Sequence, residues 1–372
     1  MRIAIDARGI NWYRGTGIGT YTENVVKNLI NIYNNNYYRL YWSERSYEDY
    51  LKNNVDIIMT SKKHPKFFEQ NYFNYDLDKS NIDIYHVPQN GISLDINIKC
   101  KKVITVHDLI PYIMPETVGK GYLLKFLKDV PEIIQNIDGI ITVSEYSKKD
   151  ILKFFPIDPN KIFVTPLAAD SIYRQLDKNY CKDFLSKNYN IDKPFILYIG
   201  GFSPRKNVKA LINSFIRVLS NLDKDHNLVI VGAKKDLGEY LSSKYSYLES
   251  KIKFTGFIPQ DELPIFYSCC EAFVYPSLYE GFGLPPLEAM SCGAPVITSN
   301  ITSIPEVVED SGILINPHDE NELFEALGNL LCNENLKQVL SKKGIKQASK
   351  FSWKKTAEKT FEAYKTTITA SI

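Results

Sequence analysis

Short runs of apolar, mostly β-branched residues alternate with longer amphipathic stretches through most of this chain, and that alternation admits few folds. The runs at 2–6, 82–86, 102–107 and 139–143 read as strands. Residues 20–32, after the first of them, set Val25, Val26, Leu29 and Ile30 at helical spacing. Ser144 is a capping residue for a helix after the fourth. A second series opens at Pro194, with strands at 195–199, 228–231, 252–255, 272–275 and 295–298 and helices at 208–220, 263–268 and 286–290. Strands separated by helices pair in parallel and are covered on both faces.

At 372 residues the chain exceeds one ordinary core, so two such domains are expected. We place them at 1–170 and 193–352, joined by the polar segment 171–192, with an amphipathic helix at 353–372 returning to the first. The chain is 44% hydrophobic and 24% charged, a globular mixture. A net charge of +2 gives no reason to expect nucleic acid as a partner. The start, MRIAIDARG, is strand-like and lacks the apolar core of a signal peptide, and no run approaches the roughly 20 apolar residues of a membrane span. Six cysteines without a CxxC pair fit reduced thiols, and a cytoplasmic protein is expected.

The segment from Tyr279 to Met290, YEGFGLPPLEAM, follows an apolar strand, bends through two glycines and two prolines, and opens a helix. Doubly wound sheets bind ligands at the carboxyl ends of their strands, where this turn lies. Amides near Phe282, Gly283 and Leu284 suit an anion at a helix N-terminus. Glu280 and Glu288 would repel a phosphate but accept well from sugar hydroxyls. A ligand carrying both groups, a nucleotide sugar, reconciles them. A second segment, Ile199–Asn207, turns at Gly200 and Gly201 and then presents Arg205 and Lys206. Arginine grips two phosphate oxygens with its planar fork and lysine adds a compact charge, which suits a diphosphate leaving group.

The spacing from Glu280 to Glu288, the text around it from Ala272, and the stretches PVITSN at 295–300 and SIPEV at 303–307 resemble glycosyltransferase family 4. The likeness covers most of the chain and is strongest over 194–315. It implies a GT-B fold, two doubly wound Rossmann-like α/β domains facing a cleft, and retaining transfer. By that resemblance Glu288 holds ribose hydroxyls, Glu280 the donor hexose, the amides of 282–284 the sugar and distal phosphate, and Arg205 and Lys206 the diphosphate. His107, at the end of the strand VITVHDL, matches the family histidine that positions the donor sugar, and Asp108 fixes its loop. His86, ending another strand, is placed on the acceptor side together with Asp108. The glycine loop 14–21 lacks the full dinucleotide fingerprint and the acidic residue about 20 positions on. In a GT-B fold Gly17 is the expected contact to the donor phosphate or the reacting oxygen. By the same resemblance the turns at 231–234 and 255–259 wall the nucleotide pocket, assigning Phe257 and Ile258 to the donor, with Gly201 from the turn after 195–199 and Lys234 either reaching phosphate or solvated.

Two Asp-x-Asp strings, at 76–78 and 223–225, do not follow apolar strands, so no metal and no cofactor are expected. A glycosidase would need its two carboxylates flanking a bond, and no segment supplies a phosphorylase's pyridoxal lysine. The alternative from another class is a catalytically inactive nucleotide-sugar binder or scaffold. Donor binds the second domain and acceptor the first, and closure excludes water. The wording around Glu280 favours GDP-mannose, then UDP-hexoses, with a glycan, lipid-linked or protein acceptor. The basic, apolar stretches 61–68 and 119–128 allow peripheral contact with an anionic membrane.

Overall fold

The computed structural model describes residues 1–44, 46–92, 94–220, 225–232 and 250–370. Its contacts divide the chain into two units, Met1–Leu167 with Ser352–Ile372, and Ala168–Phe351.

The first unit is a sheet of seven parallel strands. They are β1 (Arg2–Asp6), β2 (Tyr37–Trp42), β3 (Val55–Met59), β4 (Ile84–Val87), β5 (Lys101–Val106), β6 (Gly139–Thr142) and β7 (Ile162–Val164), in the order β3-β2-β1-β4-β5-β6-β7. Ile3 sits opposite both Tyr38 and Ile84, which sets the register at the centre. In the second unit β8 (Phe195–Ile199), β9 (Asn227–Val231), β10 (Ile252–Phe254), β11 (Ala272–Tyr275), β12 (Val296–Ser299) and β13 (Ile313–Ile315) run in the order β10-β9-β8-β11-β12-β13. Every pairing is parallel. Each sheet grows outward from its first strand and then doubles back past it, so the order reverses between β1 and β4 and again between β8 and β11. Helices on both faces explain why β4, β6, β11 and β12 are buried at every residue and read as continuous apolar runs.

The helix Gly17–Ile32 covers the first sheet with Tyr21, Val25, Val26, Leu29 and Ile30, and Thr16 caps it by accepting from the Gly19 amide. Most of the expected glycine loop is therefore the first turn of this helix. Gly19 has a packing reason: a Cβ there would lie 2.2 Å from the Tyr13 carbonyl oxygen. The helix Trp353–Thr369, capped by Ser352, belongs to the same unit. It packs through a stack of Phe361 on Tyr33 at 3.7 Å and a hydrogen bond from the Thr356 hydroxyl to the Pro166 carbonyl at 2.6 Å.

The segment 171–192 is not a free linker. It contains the helix Lys178–Tyr189, capped by Asp177, whose Cys181 and Leu185 are buried within the second unit. Tyr189 meets Phe266 edge-on at 4.9 Å. A short helix with two buried residues leaves too weak an apolar signature to stand out. Among the described residues no helix is long and apolar enough to cross a membrane.

Candidate functional site

In the second unit, the loops leaving β8 and β11 meet where the strand order reverses. The loop after β8 makes a single tight turn, Pro204–Lys206, ended by Asn207 in a left-handed conformation. Two bonds fasten it to the loop after β11: the Leu278 amide and the Ser277 hydroxyl both donate to the Arg205 carbonyl, at 2.7 and 3.2 Å. The two side chains of the turn then converge on one carboxylate. Glu280 Oε1 accepts from Arg205 Nη1 at 2.9 Å, Lys206 Nζ at 2.7 Å, the Tyr275 hydroxyl at 3.0 Å and the Ser277 hydroxyl at 2.5 Å. Lys206 also bonds the Tyr275 hydroxyl, and Arg205 bonds the Tyr279 carbonyl at 2.6 Å. Burial pushes the Glu280 carboxyl up, but the charges of Lys206 and Arg205 and the bonds from Lys206 and Ser277 outweigh it and hold the group below its usual value. Two cations thus converge on one ionised carboxylate.

The turn that carries Glu280 is held from behind by Thr302 and Ser303, whose hydroxyls respectively accept from the Glu280 amide and donate to the Glu280 and Phe282 carbonyls. Gly283 caps the helix Leu284–Ser291 at φ +120°, a value that side chains other than glycine rarely adopt. Pro285 and Pro286 follow, so the first turn has few N–H groups. Among the described residues the amides of Phe282, Gly283 and Leu284 have no internal acceptor. One helical turn on, Glu288 accepts from the Tyr267 hydroxyl at 3.2 Å. Burial raises its carboxyl to about 8 against the lowering effect of bonds from Tyr267 and Tyr173. Phe257 stands 91% exposed after β10, while its neighbour Ile258 is buried. Gly201 is exposed after β8, its carbonyl accepting from the Tyr198 hydroxyl at 2.7 Å. Lys234 lies outside the described residues.

In the first unit the corresponding crevice is filled differently. Arg8 and Asp6, both at the end of β1, form a buried fork-to-carboxylate pair with bonds of 2.7 Å from Nε and Nη2, the side chains 2% and 1% exposed. Glu69 accepts from Arg8 Nη1 at 3.1 Å, and Gln89 donates to Asp6 at 2.7 Å. His107 follows β5. Its Nε2 faces the Pro88 carbonyl at 2.9 Å, which makes that nitrogen the donor and leaves Nδ1 as an acceptor. Burial lowers its pKa to about 4, so the ring is neutral. Asp108 accepts from the Ile110 amide at 3.0 Å and shapes the loop. Gly17 is the first residue of its helix, where an amide has no helical partner.

His86 is not on an acceptor-facing surface. It is fully buried within β4, with Nδ1 against the Tyr364 hydroxyl at 2.6 Å and Nε2 against Thr105 at 2.8 Å. The returning helix Trp353–Thr369 seals it, and burial takes its pKa down to about 3. Tyr275, Ser277, Thr302 and Ser303 were not singled out from sequence. Tyr275, Ser277 and Ser303 lie in stretches that carry the family resemblance, but without a role assigned to them. The stretches 61–68 and 119–128, far apart in sequence, come together: Lys62, Pro65, Lys66 and Lys125 line one cavity.

Solved structures share this fold. Sucrose-phosphate synthase from Thermosynechococcus elongatus superposes with a TM-score of 0.77 at 20% identity, covering 100% of both chains. Anabaena Alr3699/HepE in complex with UDP and glucose gives 0.72 at 16%, covering 97% of this chain and 98% of that one. Two Rossmann-like units with loop-built crevices at the strand reversals are the GT-B architecture of glycosyltransferase enzymes. The model for glycosyl transferases group 1 matches residues 182–347 and that for glycosyltransferase family 4 matches residues 15–171. The chain belongs to glycosyltransferase family 4. It is similar to O-antigen chain mannosyltransferase B of Escherichia coli, 32% identical over 76% of this chain and 74% of that protein. The serotype-specific mannosyltransferase WbdA of Escherichia coli is also 32% identical over 72% of this chain, which spans only 34% of WbdA's length.

Proposed function

We propose that this glycosyltransferase moves a hexose, with retention, from a nucleotide-diphosphate sugar to a hydroxyl of a glycan, lipid-linked or protein acceptor, without a metal. The observation that carries the proposal is the convergence of Arg205 and Lys206 on Glu280, on the same loop as the amides of 282–284 that lack an internal acceptor. A donor diphosphate would take over the two cations, each charge-assisted bond to Glu280 being exchanged for one to a phosphate oxygen. Glu280, relieved of its partners, would then accept from hydroxyls of the hexose. Arg205 and Lys206 would stabilise charge growing on the departing diphosphate, a preorganised term that needs no bound ion. In this reading the leaving phosphate takes the acceptor's proton as the hydroxyl attacks from the same face. Glu288 would hold the ribose, and Phe257, Ile258 and Gly201 would wall the base and phosphates.

GDP-mannose is the favoured donor, supported by relatives named as mannosyltransferases; UDP-hexoses come next, supported by the UDP and glucose in HepE. We place the reaction in the cytoplasm. Phe67 and Leu124, 56% and 60% exposed on the first unit among lysines, support peripheral contact with an anionic membrane, which liposome flotation tests. The test of the activity is transfer from GDP-mannose in excess chelator, with the product anomer read by NMR. An inverted anomer, or turnover abolished by chelator and restored by manganese, would sink the mechanism.

A further inference from the structure

Glu280 is held by one oxygen. All four of its side-chain donors, Arg205, Lys206, Tyr275 and Ser277, reach Oε1. Among the described residues Oε2 accepts no hydrogen bond, and it is not sealed from solvent. A carboxylate oxygen offers about two lone-pair sites, so Oε1 is oversubscribed while Oε2 stands open. The four donors are of two kinds. Arg205 and Lys206 arrive from the loop after β8 on long side chains, 15% and 14% exposed. Tyr275 and Ser277 lie at the end of β11, on the segment that carries Glu280 itself, and each is 1% exposed. The neighbouring strand β12 pins them. The Thr298 hydroxyl donates to the Tyr275 carbonyl at 2.7 Å, and the Ser299 hydroxyl to the Ser277 carbonyl at 2.5 Å. The Tyr275 ring stacks beside Tyr198, with centroids 6.2 Å apart. Of the oxygens around the Ser277 hydroxyl, Glu280 Oε1 is the nearest. A diphosphate draws the two cations by charge. Two neutral hydroxyls fixed at a strand end cannot follow it, and two donors are what one oxygen holds.

We infer that Tyr275 and Ser277 are positioning residues that keep Oε1 in place once the donor diphosphate has taken Arg205 and Lys206, so that Oε2 alone reads the hexose. The inference rests on the reading of this loop as the donor site. The last torsion of a glutamate is a broad, two-fold well, so a carboxylate freed of all four donors would turn and offer either oxygen. One fixed oxygen distinguishes an epimer whose hydroxyl points to it from one whose hydroxyl does not. Tyr275 and Ser277 thus set the sugar preference without touching the sugar.

The experiment titrates epimeric donors that share a nucleotide, GDP-mannose with GDP-glucose and UDP-glucose with UDP-galactose, into the full chain by calorimetry, beside GDP and UDP alone. The parent protein should prefer one epimer by about tenfold or more, the worth of a hydrogen bond to a charged group. Tyr275→Phe, which keeps the ring, and Ser277→Ala, which deletes one oxygen, should each shrink that preference to about threefold or less. GDP and UDP should bind no more weakly than before, a result that a merely structural role would not give. With Glu280→Gln already present, neither substitution should move the epimer ratio by more than about twofold, because both act through that carboxylate. Ser277→Ala alone scores the inference should Tyr275→Phe fail to fold. A preference unmoved by the variants, nucleotide binding lost along with it, or a full further loss on top of Glu280→Gln overturns the inference. So does a parent that binds both epimers equally, although the donor reading would survive. A parent that binds neither the nucleotides nor their sugars would sink that reading and the inference with it.

Discussion

The two units share one strand order and one point of reversal, yet the ion clusters at those points have opposite composition. After β1 a single cation, Arg8, is held by two carboxylates, Asp6 and Glu69. After β8 two cations, Arg205 and Lys206, share the one carboxylate of Glu280. Arg8 and Asp6 are almost wholly buried, whereas the second cluster keeps 12–15% of each side chain exposed. The first cluster is closed on itself and braces the crevice. The second is more open to solvent and built around side chains that can trade partners. A fold sets where a ligand goes, and the loops decide which charge it must bring.

The comparison is most easily broken at the arginines. Arg8→Ala would leave Asp6 buried and unpaired, and should cost about 3–5 kcal/mol of stability, read by denaturant unfolding. Arg205→Ala should leave the second unit folded and lower transfer at least about a hundredfold, as should Glu280→Ala. If the Arg8 variant were stable and the Arg205 variant active, the contrast between brace and site would collapse.

The pH responses of the units should be opposed. Glu288 keeps its proton to about 8 in the folded protein, well above its value of 4.5 in the open chain, so the folded state binds the extra proton between those limits. Its contribution to stability is complete below about pH 4.5 and is lost as pH rises toward 8. Ribose hydroxyls want the ionised form, so nucleotide affinity should climb by up to about tenfold per pH unit until pH 8, with proton release visible by calorimetry in two buffers. Glu288→Gln should flatten that climb; a slope unchanged in the variant would remove Glu288 from the ribose. In the first unit the sign is reversed. His86 and His107 stay neutral to about 3 and about 4, below the 6.5 of the open chain, so their contribution is complete above pH 6.5 and is lost as pH falls. Each should cost up to about 1.4 kcal/mol per unit of acidification in that window. Hydrogen exchange that showed the second unit opening first in acid would contradict it.

Sequence alone exposed β1, β4, β5, β6 and most of the second sheet, because burial on both faces leaves a run of apolar residues at the centre of each strand. It did not expose β2, where Tyr37–Trp42 follows an asparagine run and carries Arg39, nor β3, an edge strand with Asp56 in it. The charges are explained by packing that no periodicity reports: Arg39 pairs with Asp76 and Asp56. Within the site, the motif residues could be named from their resemblance, while Tyr275, Ser277 and Ser303 could not. They matter through contacts with Glu280 and its turn that only folding creates. His86 misled for a related reason. A histidine in a strand looks the same whether a ligand or a helix 278 residues later covers it.

That late cover has a consequence for biosynthesis. Residues 352–370 leave the ribosome after the whole of the second unit, yet they supply Phe361 for Tyr33 and Tyr364 for His86. The amino-terminal half must wait, partly assembled and with apolar surface uncovered, while the inserted half can close as soon as it emerges. Nascent-chain folding should therefore run opposite to the order of translation.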